Sequence, residues 1–247
     1  EGQGIQRESE GGRGTGCNAL YEAFLERVET APQAGAVIVP WGYLGELRYE
    51  HANYQDLNSL INKYQRGLTH LGLRPGDRVL MLVTPGVDFL ALTYAVMGRG
   101  AIPSFVDPGI GRENIFACIR NLQPHVLIGS PRAHLLRLRR KELLPGLRFH
   151  VLASNWLYLG GPTLSYLKKF SSRPMPDAPC GEIAMIAYTS GGTGTPKGVV
   201  FTNQMIQEQL RVFREDFGIE PGRRDMPLLP VFSIFNLAVG VCSVFGP

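Results

Sequence analysis

The sequence predicts an α/β fold in which mostly parallel sheets are flanked by helices. Continuous apolar runs, which are typical of strands buried on both faces, alternate with segments whose apolar residues recur at helical spacing. Gly and Pro stand between these segments, where turns are expected. The chain has 247 residues, of which 44% are apolar, so it can bury a large core.

The amino-terminal elements follow from apolar spacing and from one capping residue. Residues 17–28 are predicted to form a helix, and short strands are expected around residues 36–39 and 46–49. The next helix should begin after Asn53, because an Asn side chain can accept hydrogen bonds from the first free amides of a helix. Gly72 should end that helix.

Beyond Gly72, strands and helices alternate. Helices of ten to fifteen residues between strands indicate right-handed crossovers, and hence a mostly parallel sheet that is covered on both faces. Apolar helix faces are expected within residues 89–96 and 115–122. The runs that predict buried strands are RVLMLV (78–83), AIPSFV (101–106), HVLIGS (125–130) and EIAMIAY (182–188).

Composition divides the chain into four parts. Residues 1–16 are rich in Gly and charge, and we expect them to be disordered. Residues 17–170 should form a first α/β sub-unit, and residues 171–181, rich in Pro, a connection. Residues 182–247 should begin a second α/β sub-unit. Because the chain lacks an initiator Met and stops within an apolar run, we expect a truncated fragment of a longer chain.

Charge and length argue against two classes of partner. The formal net charge is +4, but the 25 cations are interspersed with 21 anions, so no nucleic-acid partner is expected. A basic run at Arg137, Arg139, Arg140 and Lys141 is interpreted as a solvated helix end rather than a phosphate patch. The uncharged residues 231–246 are too few for a membrane span and should lie in the core.

The placement of cysteine and histidine predicts neither disulfides nor a metal site. The four cysteines and five histidines are far apart and show no ligand spacing. No secretory signal pattern is found at the start. We therefore expect free thiols and a cytoplasmic protein.

The most informative segment is YTSGGTGTPKG, residues 188–198, which directly follows a predicted buried strand. It contains four glycines, three threonines, one serine and one lysine. Glycine-rich backbone can present successive N–H groups into a concavity, hydroxyls add donors without bulk, and Lys197 adds a positive charge. This combination predicts a loop that binds the phosphates of a nucleoside triphosphate.

Other interpretations of this loop fit less well. A Walker A loop has Gly-Lys-Ser/Thr before a helix, whereas Gly198 follows Lys197 here. A dinucleotide fingerprint needs a third glycine where Lys197 stands. A nucleophile elbow, GxSxG, needs a glycine where Tyr188 stands, so Ser190 is a poor candidate nucleophile. A plain glycine-rich turn between two strands remains an alternative interpretation, although the many hydroxyls favour phosphate binding.

Residues 188–198 resemble the phosphate-loop signature of the acyl-CoA synthetase, luciferase and peptide-synthetase adenylation family, which is YTSG, a Ser or Thr, then TGxPKG. The departure is Gly192, where the family prefers a hydroxyl residue. The resemblance extends over nearly everything from Leu20 onward, including the helix and the PGDRV strand within residues 53–83. It implies the amino-terminal part of the large domain of an adenylate-forming enzyme.

Three further segments resemble one subgroup of this family, the olefin-biosynthesis β-lactone synthetases. Most relatives have a histidine where Ser233 stands, as is expected of the subgroup, and Asn236 stands where an acidic residue is more typical. The three segments are DPGIG (107–111), QPHVLIG (123–129) and PVFSIFNLAVG (230–240).

The resemblance implies roles for two sets of residues. An acyl pocket would include Phe232, Phe235, Leu237 and Val239, although core packing explains each of them equally well. Catalytic residues and the ligands of Mg²⁺ are expected beyond Pro247. The phosphates of ATP would be held by Thr189, Ser190, Gly191, Gly192, Thr193, Gly194, Thr195 and Lys197.

Members of this family are ligases that bind MgATP and a small-molecule carboxylic acid, form an acyl-adenylate and release pyrophosphate. The subgroup implies that a β-hydroxy fatty acid becomes a β-lactone in olefin biosynthesis. A fatty-acyl-CoA or acyl-AMP ligase of fatty acid metabolism is the near alternative, and partners in a lipid-biosynthesis assembly are compatible with either activity. We expect the fragment alone to be inactive, and a truncated nucleotide-binding or interaction module is the alternative from another class. The oligomeric state is left open.

Overall fold

A computed structural model describes residues 18–41, 48–155, 160–189 and 196–246. Three predictions concern residues outside these ranges. They are the disorder of residues 1–16, the first part of the strand at 46–49, and residues 190–195 of the glycine-rich loop.

The described ranges form helices and strands in alternation. The α-helices are α1 (Ala19–Thr30), α2 (Tyr54–His70), α3 (Val87–Met97), α4 (Arg112–Leu122), α5 (Pro131–Arg139), α6 (Leu164–Leu167), α7 (Asn203–Glu215) and α8 (Phe232–Val239). The strands are β1 (Gly35–Trp41), β2 (Arg48–Asn53), β3 (Arg78–Leu82), β4 (Ile102–Val106), β5 (Val126–Gly129), β6 (Phe149–Leu152), β7 (Ile183–Thr189), β8 (Lys197–Thr202), β9 (Arg224–Asp225) and β10 (Cys242–Val244). Short 3-10 turns are found at Pro108–Ile110 and Lys141–Leu143.

The larger sheet has the strand order β6-β5-β3-β4-β7-β8. The first five strands run parallel, whereas β8 runs antiparallel to β7. Helix α3 packs on one face, where Leu90 and Leu92 are fully buried, and α4 covers the other with Phe116 and Ile119. Helices on both faces of a mostly parallel sheet confirm the predicted α/β fold.

The smaller sheet joins the first part of the chain to the last. Its strand order is β2-β1-β10-β9, and β1 pairs antiparallel with β2 and parallel with β10. The larger sheet also contains strands from both sides of residues 171–181, because β7 follows this segment and pairs with β4. The division into sub-units at residues 171–181 stays a prediction, and both sheets contain strands from each side of it.

Local sequence explains the boundaries of α2. Oδ1 of Asn53 accepts a hydrogen bond of 2.7 Å from the backbone amide of Asp56, which confirms the predicted cap. The apolar face of the helix is fully buried, for example at Leu57 and Leu68. The helix ends shortly before Gly72, whose φ of 96° lies in the left-handed region that favours glycine.

Most of the uncharged residues 231–246 lie in the core, as predicted. The hydroxyl of Tyr54 donates a hydrogen bond of 2.9 Å to the carbonyl of Leu237, and that of Tyr94 one of 2.7 Å to the carbonyl of Ile234. These buried bonds connect α2 and α3 to α8. Across the described ranges, no helix has the length and apolar character needed to cross a membrane.

His134 on α5 is fully buried and held in its neutral form. Its Nε2–H donates a hydrogen bond of 3.0 Å to the carbonyl of Val151, and its Nδ1 accepts one of 3.4 Å from Nε of Arg137. Burial, followed by the nearby His150 and Arg137, lowers the pKa of His134. The folded protein therefore resists a protonation that the unfolded chain accepts.

We expect the free energy of unfolding to fall as the pH drops below 6.5, the ordinary pKa of His. The folded-state pKa is lowered, so this contribution is fully present above the unfolded pKa and is lost below it. One proton bound on unfolding gives a slope of at most about 1.4 kcal/mol per pH unit. His134→Gln, which keeps a donor for the Val151 carbonyl, should flatten the dependence.

Urea unfolding between about pH 7 and pH 5 measures this dependence. The matched control is His51→Gln, which changes an exposed histidine on β2 and should leave the slope unaltered. If His134→Gln keeps the slope of the original protein, the buried histidine is not its source.

Candidate functional site

The loop predicted to bind phosphates connects β7 to β8. These strands form an antiparallel pair in which Tyr188 is opposite Gly198, and Thr189 is opposite Lys197. Thr189 and Lys197 are exposed, so both side chains at the base of the loop are accessible to a ligand. The other predicted phosphate-binding residues, 190–195, lie outside the described residues.

The secondary structure that follows the loop excludes two of the alternative motifs. A Walker A loop and a nucleophile elbow both lead from a strand into a helix. Here Lys197 is the first residue of a strand, β8, so neither motif is formed. A connection between two strands is compatible with a phosphate loop and with a plain turn alike, and the surroundings of the loop are therefore informative.

The two ends of the loop, Thr189 and Lys197, lie at the edge of the sheet where the parallel strands have their carboxyl ends. Strand β7 pairs with β4, and Val106 is opposite Tyr188. Asp107 and Thr189 are the next residues along the chain after this pair, so both lie at this edge. Ligands of open α/β sheets bind in the crevice outside the carboxyl ends of the strands. The two ends of the loop therefore lie where such a fold binds its ligands.

The DPGIG motif, residues 107–111, forms part of the same edge. The Asp107 carboxylate accepts a hydrogen bond of 2.8 Å from the amide of Gly109 and caps the 3-10 turn. Gly111, with φ of 88°, then leads into α4. The position of this motif beside the loop was missed in the sequence, although both segments directly follow buried apolar strands, which is the signal that could have revealed it.

Tyr188 connects the base of the loop to α4. Its hydroxyl donates a hydrogen bond of 2.7 Å to Oδ1 of Asn121, and burial raises the pKa of this hydroxyl, so it stays protonated at neutral pH. A Cβ atom at Gly198 would lie 3.0, 3.1 and 3.3 Å from three atoms of Tyr188. Gly198 does not have a positive φ. This glycine is therefore needed for close packing rather than for backbone conformation.

The residues predicted to form an acyl pocket separate into two groups. Phe235, Leu237 and Val239 are buried in the core, and the ring of Phe235 lies 5.9 Å from that of Phe213. Helix α8 packs mainly against α1, α3, α7 and β10. Phe232, at the start of α8, is 48% exposed. Core packing, the alternative left open for each residue, accounts for the first three, and Phe232 is accessible to a ligand.

Two distinctive residues of α8 make structural contacts. The buried Ser233 hydroxyl donates a hydrogen bond to the carbonyl of Pro230 and closes the first turn of the helix. Nδ2 of Asn236 donates a hydrogen bond of 2.9 Å to the carboxylate of Asp225 in β9. An amide at this position can donate to a carboxylate, whereas an acidic residue would repel it.

Comparison with known proteins decides the family. A family model described as AMP-binding enzyme matches residues 24–246. The chain belongs to the AMP-binding enzyme family. The match includes the loop, the DPGIG motif and α8, so the resemblance inferred from the motifs is confirmed. AMP-binding enzymes of this kind are adenylate-forming ligases, as the resemblance implied.

Two curated relatives show which AMP-binding enzymes the chain is similar to. An olefin beta-lactone synthetase of Stenotrophomonas maltophilia is 36% identical over 195 residues, which are 78% of this chain and 35% of that protein. A long-chain-fatty-acid–CoA ligase of Mycobacterium tuberculosis is 27% identical over 194 residues, which are 77% of this chain and 37% of that protein. The chain thus spans about a third of the length of these relatives.

A solved structure supports the fold of this AMP-binding enzyme. The N-terminal domain of FACL13 from Mycobacterium tuberculosis matches with a TM-score of 0.78 and 22% identity, over 93% of this chain and 57% of that chain. The fold is therefore that of an amino-terminal domain of an adenylate-forming enzyme, as predicted.

Gly198→Ala should destabilise the base of the loop. The added methyl group would press on the Tyr188 ring, which the hydrogen bond to Asn121 holds in place. Overpacking of this kind costs roughly 1–3 kcal/mol of the free energy of unfolding, which urea unfolding measures. Gly181→Ala is the matched control, because a Cβ at Gly181 meets nothing within 4 Å.

The same substitution in a protein that lacks the Tyr188 ring identifies the cause of this destabilisation. When Tyr188→Ala removes the ring, Gly198→Ala should no longer be costly, because the two changes act on one contact. If Gly198→Ala costs the same in both backgrounds, packing against Tyr188 is not the reason for a glycine at residue 198.

Proposed function

We propose that the complete protein activates a carboxylic acid with ATP. A carboxylate oxygen forms a bond with the α-phosphorus, the bond from this phosphorus to the bridging oxygen breaks, and pyrophosphate leaves with the electron pair. The product is an acyl-adenylate. The observation that carries the proposal is the phosphate-loop signature at the carboxyl edge of a parallel sheet, in a chain of the AMP-binding enzyme family.

In this proposal the glycine-rich loop holds the β- and γ-phosphates of ATP. The exposed side chains of Thr189 and Lys197 stand at its two ends, and the ammonium group of Lys197 stabilises the negative charge that pyrophosphate carries as it leaves. Positioning and electrostatic stabilisation then account for the rate enhancement. The full set of phosphate-binding residues is Thr189, Ser190, Gly191, Gly192, Thr193, Gly194, Thr195 and Lys197.

Mg²⁺ accompanies ATP in this proposal, and its protein ligands are assigned to residues beyond Pro247. In the part of the chain that the structure describes, no group of three or more His, Cys, Asp and Glu side chains could hold a metal ion. The carboxylate of Asp107, at the same edge of the sheet, accepts a hydrogen bond from the amide of Gly109. The described residues are therefore assigned to binding and orienting the phosphates.

The acid that we propose is a β-hydroxy fatty acid, and the final product a β-lactone. The β-hydroxyl oxygen attacks the carbonyl carbon of the acyl-adenylate, the bond from that carbon to AMP breaks, and the hydroxyl proton passes to solvent. The identity of 36% to an olefin beta-lactone synthetase supports this choice, as do the DPGIG motif and Ser233. Phe232 would contact the acyl chain, with Phe235, Leu237 and Val239 supporting it from the core. We propose a cytoplasmic reaction that serves lipid biosynthesis.

A fatty-acyl-CoA ligase is the second candidate, favoured by the 27% identity to a long-chain-fatty-acid–CoA ligase. In that case the thiol of CoA attacks the same carbonyl carbon and displaces AMP. Incubation of the complete protein with ATP and a β-hydroxy fatty acid separates the two candidates by mass spectrometry. A lactone formed without CoA supports the first, and a thioester that requires CoA supports the second.

We expect Lys197→Ala to lower kcat/KM for acid-dependent ATP–pyrophosphate exchange roughly 100-fold, because one charge-stabilising donor is lost. The exchange is measured in the complete protein with a panel of carboxylic acids. Lys169→Ala, which removes an exposed cation just beyond α6, is the matched control and should retain the original rate. Absence of exchange with every acid would overturn the proposal and favour a non-catalytic module. Normal exchange in Lys197→Ala would overturn the role of Lys197 in it.

A further inference from the structure

Helix α5 and the 3-10 turn that follows it carry dense positive charge. Residues 131–148 contain six Arg and Lys side chains and a single acidic one, Glu142. Three of the cations are engaged by neighbouring side chains, and these are Arg137, Arg140 and Arg148. The charged groups of these three residues are thus engaged in contacts within the folded protein.

The other three cations of this region face solvent. Arg132, Arg139 and Lys141 are exposed. Within the residues that the structure describes, their side chains form neither ion pairs nor hydrogen bonds. A surface that keeps three such charges unpaired is suited to an anionic partner.

Two leucines share this exposed side of α5. Leu135 is 45% exposed and Leu138 is 44% exposed. Arg132, Leu135 and Arg139 are spaced at i, i+3 and i+7, which places them in one row along the helix, and Leu138 is three residues from Leu135. Ala133 and His134 are buried and anchor the helix to the core. Apolar and basic side chains are therefore presented together on a rigidly held helix.

We propose that the surface formed by Arg132, Leu135, Leu138, Arg139 and Lys141, called the α5 face, docks on an anionic phospholipid membrane. Arg and Lys are attracted to lipid phosphates, and leucine gains free energy by leaving water for the acyl region. The helix has nine residues and is about 13 Å long, so it lies along the interface and does not cross it.

The chemistry of the α5 face favours a bilayer over a nucleic acid. Contacts to a nucleic-acid backbone need cations and polar donors, and single-stranded bases stack on aromatic rings. The α5 face has leucines where such a surface would have polar or aromatic side chains. A lipid bilayer therefore accounts for the exposure of the two leucines, whereas binding to a phosphate backbone accounts only for the cations.

Docking would bring the candidate site close to the bilayer. Helix α5 begins directly after β5, at the same carboxyl edge of the sheet as the glycine-rich loop. Strands β5 and β7 are separated by β3 and β4, which is three strand spacings, or about 14 Å. The inference goes beyond the proposed function, because it rests on the charge and exposed leucines of α5 and needs no assumption about the reaction.

The test is sedimentation of the complete protein with vesicles of phosphatidylcholine alone, or of phosphatidylcholine and phosphatidylglycerol in equal parts. We expect binding to the mixed vesicles that weakens as salt is added. Arg132→Gln, Arg139→Gln and Lys141→Gln together should weaken binding roughly 100-fold, at about fivefold for each cation. Leu135→Gln with Leu138→Gln should weaken it at least severalfold.

Matched controls change the same number of side chains elsewhere. Lys63→Gln, Arg120→Gln and Lys169→Gln remove an equal charge, and Met205→Gln with Phe217→Gln remove exposed apolar side chains from α7 and its end. These variants should bind as the original protein does.

Three outcomes would overturn the proposal. The first is that the original protein does not bind the mixed vesicles. The second is that the α5 variants and the control variants lose vesicle binding equally. The third is that the protein binds RNA through the cations of the α5 face, while Leu135→Gln with Leu138→Gln leaves vesicle binding unchanged. The last outcome would assign the α5 face to nucleic acid.

Discussion

Backbone hydrogen bonds between the parallel strands β4 and β7 hold the candidate site together. Because the two strands run in the same direction, their carboxyl ends meet at one edge, where Val106 is opposite Tyr188. Strand β8 then returns antiparallel along β7 and brings Lys197 to the same edge. Two segments that are distant in sequence, the DPGIG motif and the ends of the glycine-rich loop, thereby meet at the edge where a parallel sheet binds its ligands.

Helix α4 couples the parts of this edge. It begins just after the glycine that ends the DPGIG motif, and near its other end Oδ1 of Asn121 accepts a hydrogen bond from the hydroxyl of Tyr188. The Tyr188 ring in turn lies against Gly198, just beyond the loop lysine. The glycine of the Pro-Lys-Gly ending is therefore needed for a packing contact at the base of the loop and not for its backbone conformation.

The apolar side chains of the chain have different roles according to whether they are buried or exposed. Phe235 and Leu237 are covered by α1, α3 and α7 and stabilise the core, whereas Phe232 is half exposed. On α5, Leu135 and Leu138 remain exposed beside unpaired cations. Phe232 is proposed to contact an acyl chain, and Leu135 and Leu138 are proposed to enter a lipid surface.

Sequence alone determined the local features, because these depend on interactions between nearby residues. Capping by Asn53, the buried strand runs and the glycine-rich signature were all readable in this way, and the family followed from the signature. Tertiary structure alone decided the strand order, the pairing of β7 with β4 and of β1 with β10, and the contact between Tyr188 and Gly198. Apolar pattern shows that a strand is buried but not which strand lies beside it, since any buried neighbour satisfies the same pattern. For the same reason, the sequence could not separate the exposed Phe232 from the buried Phe235.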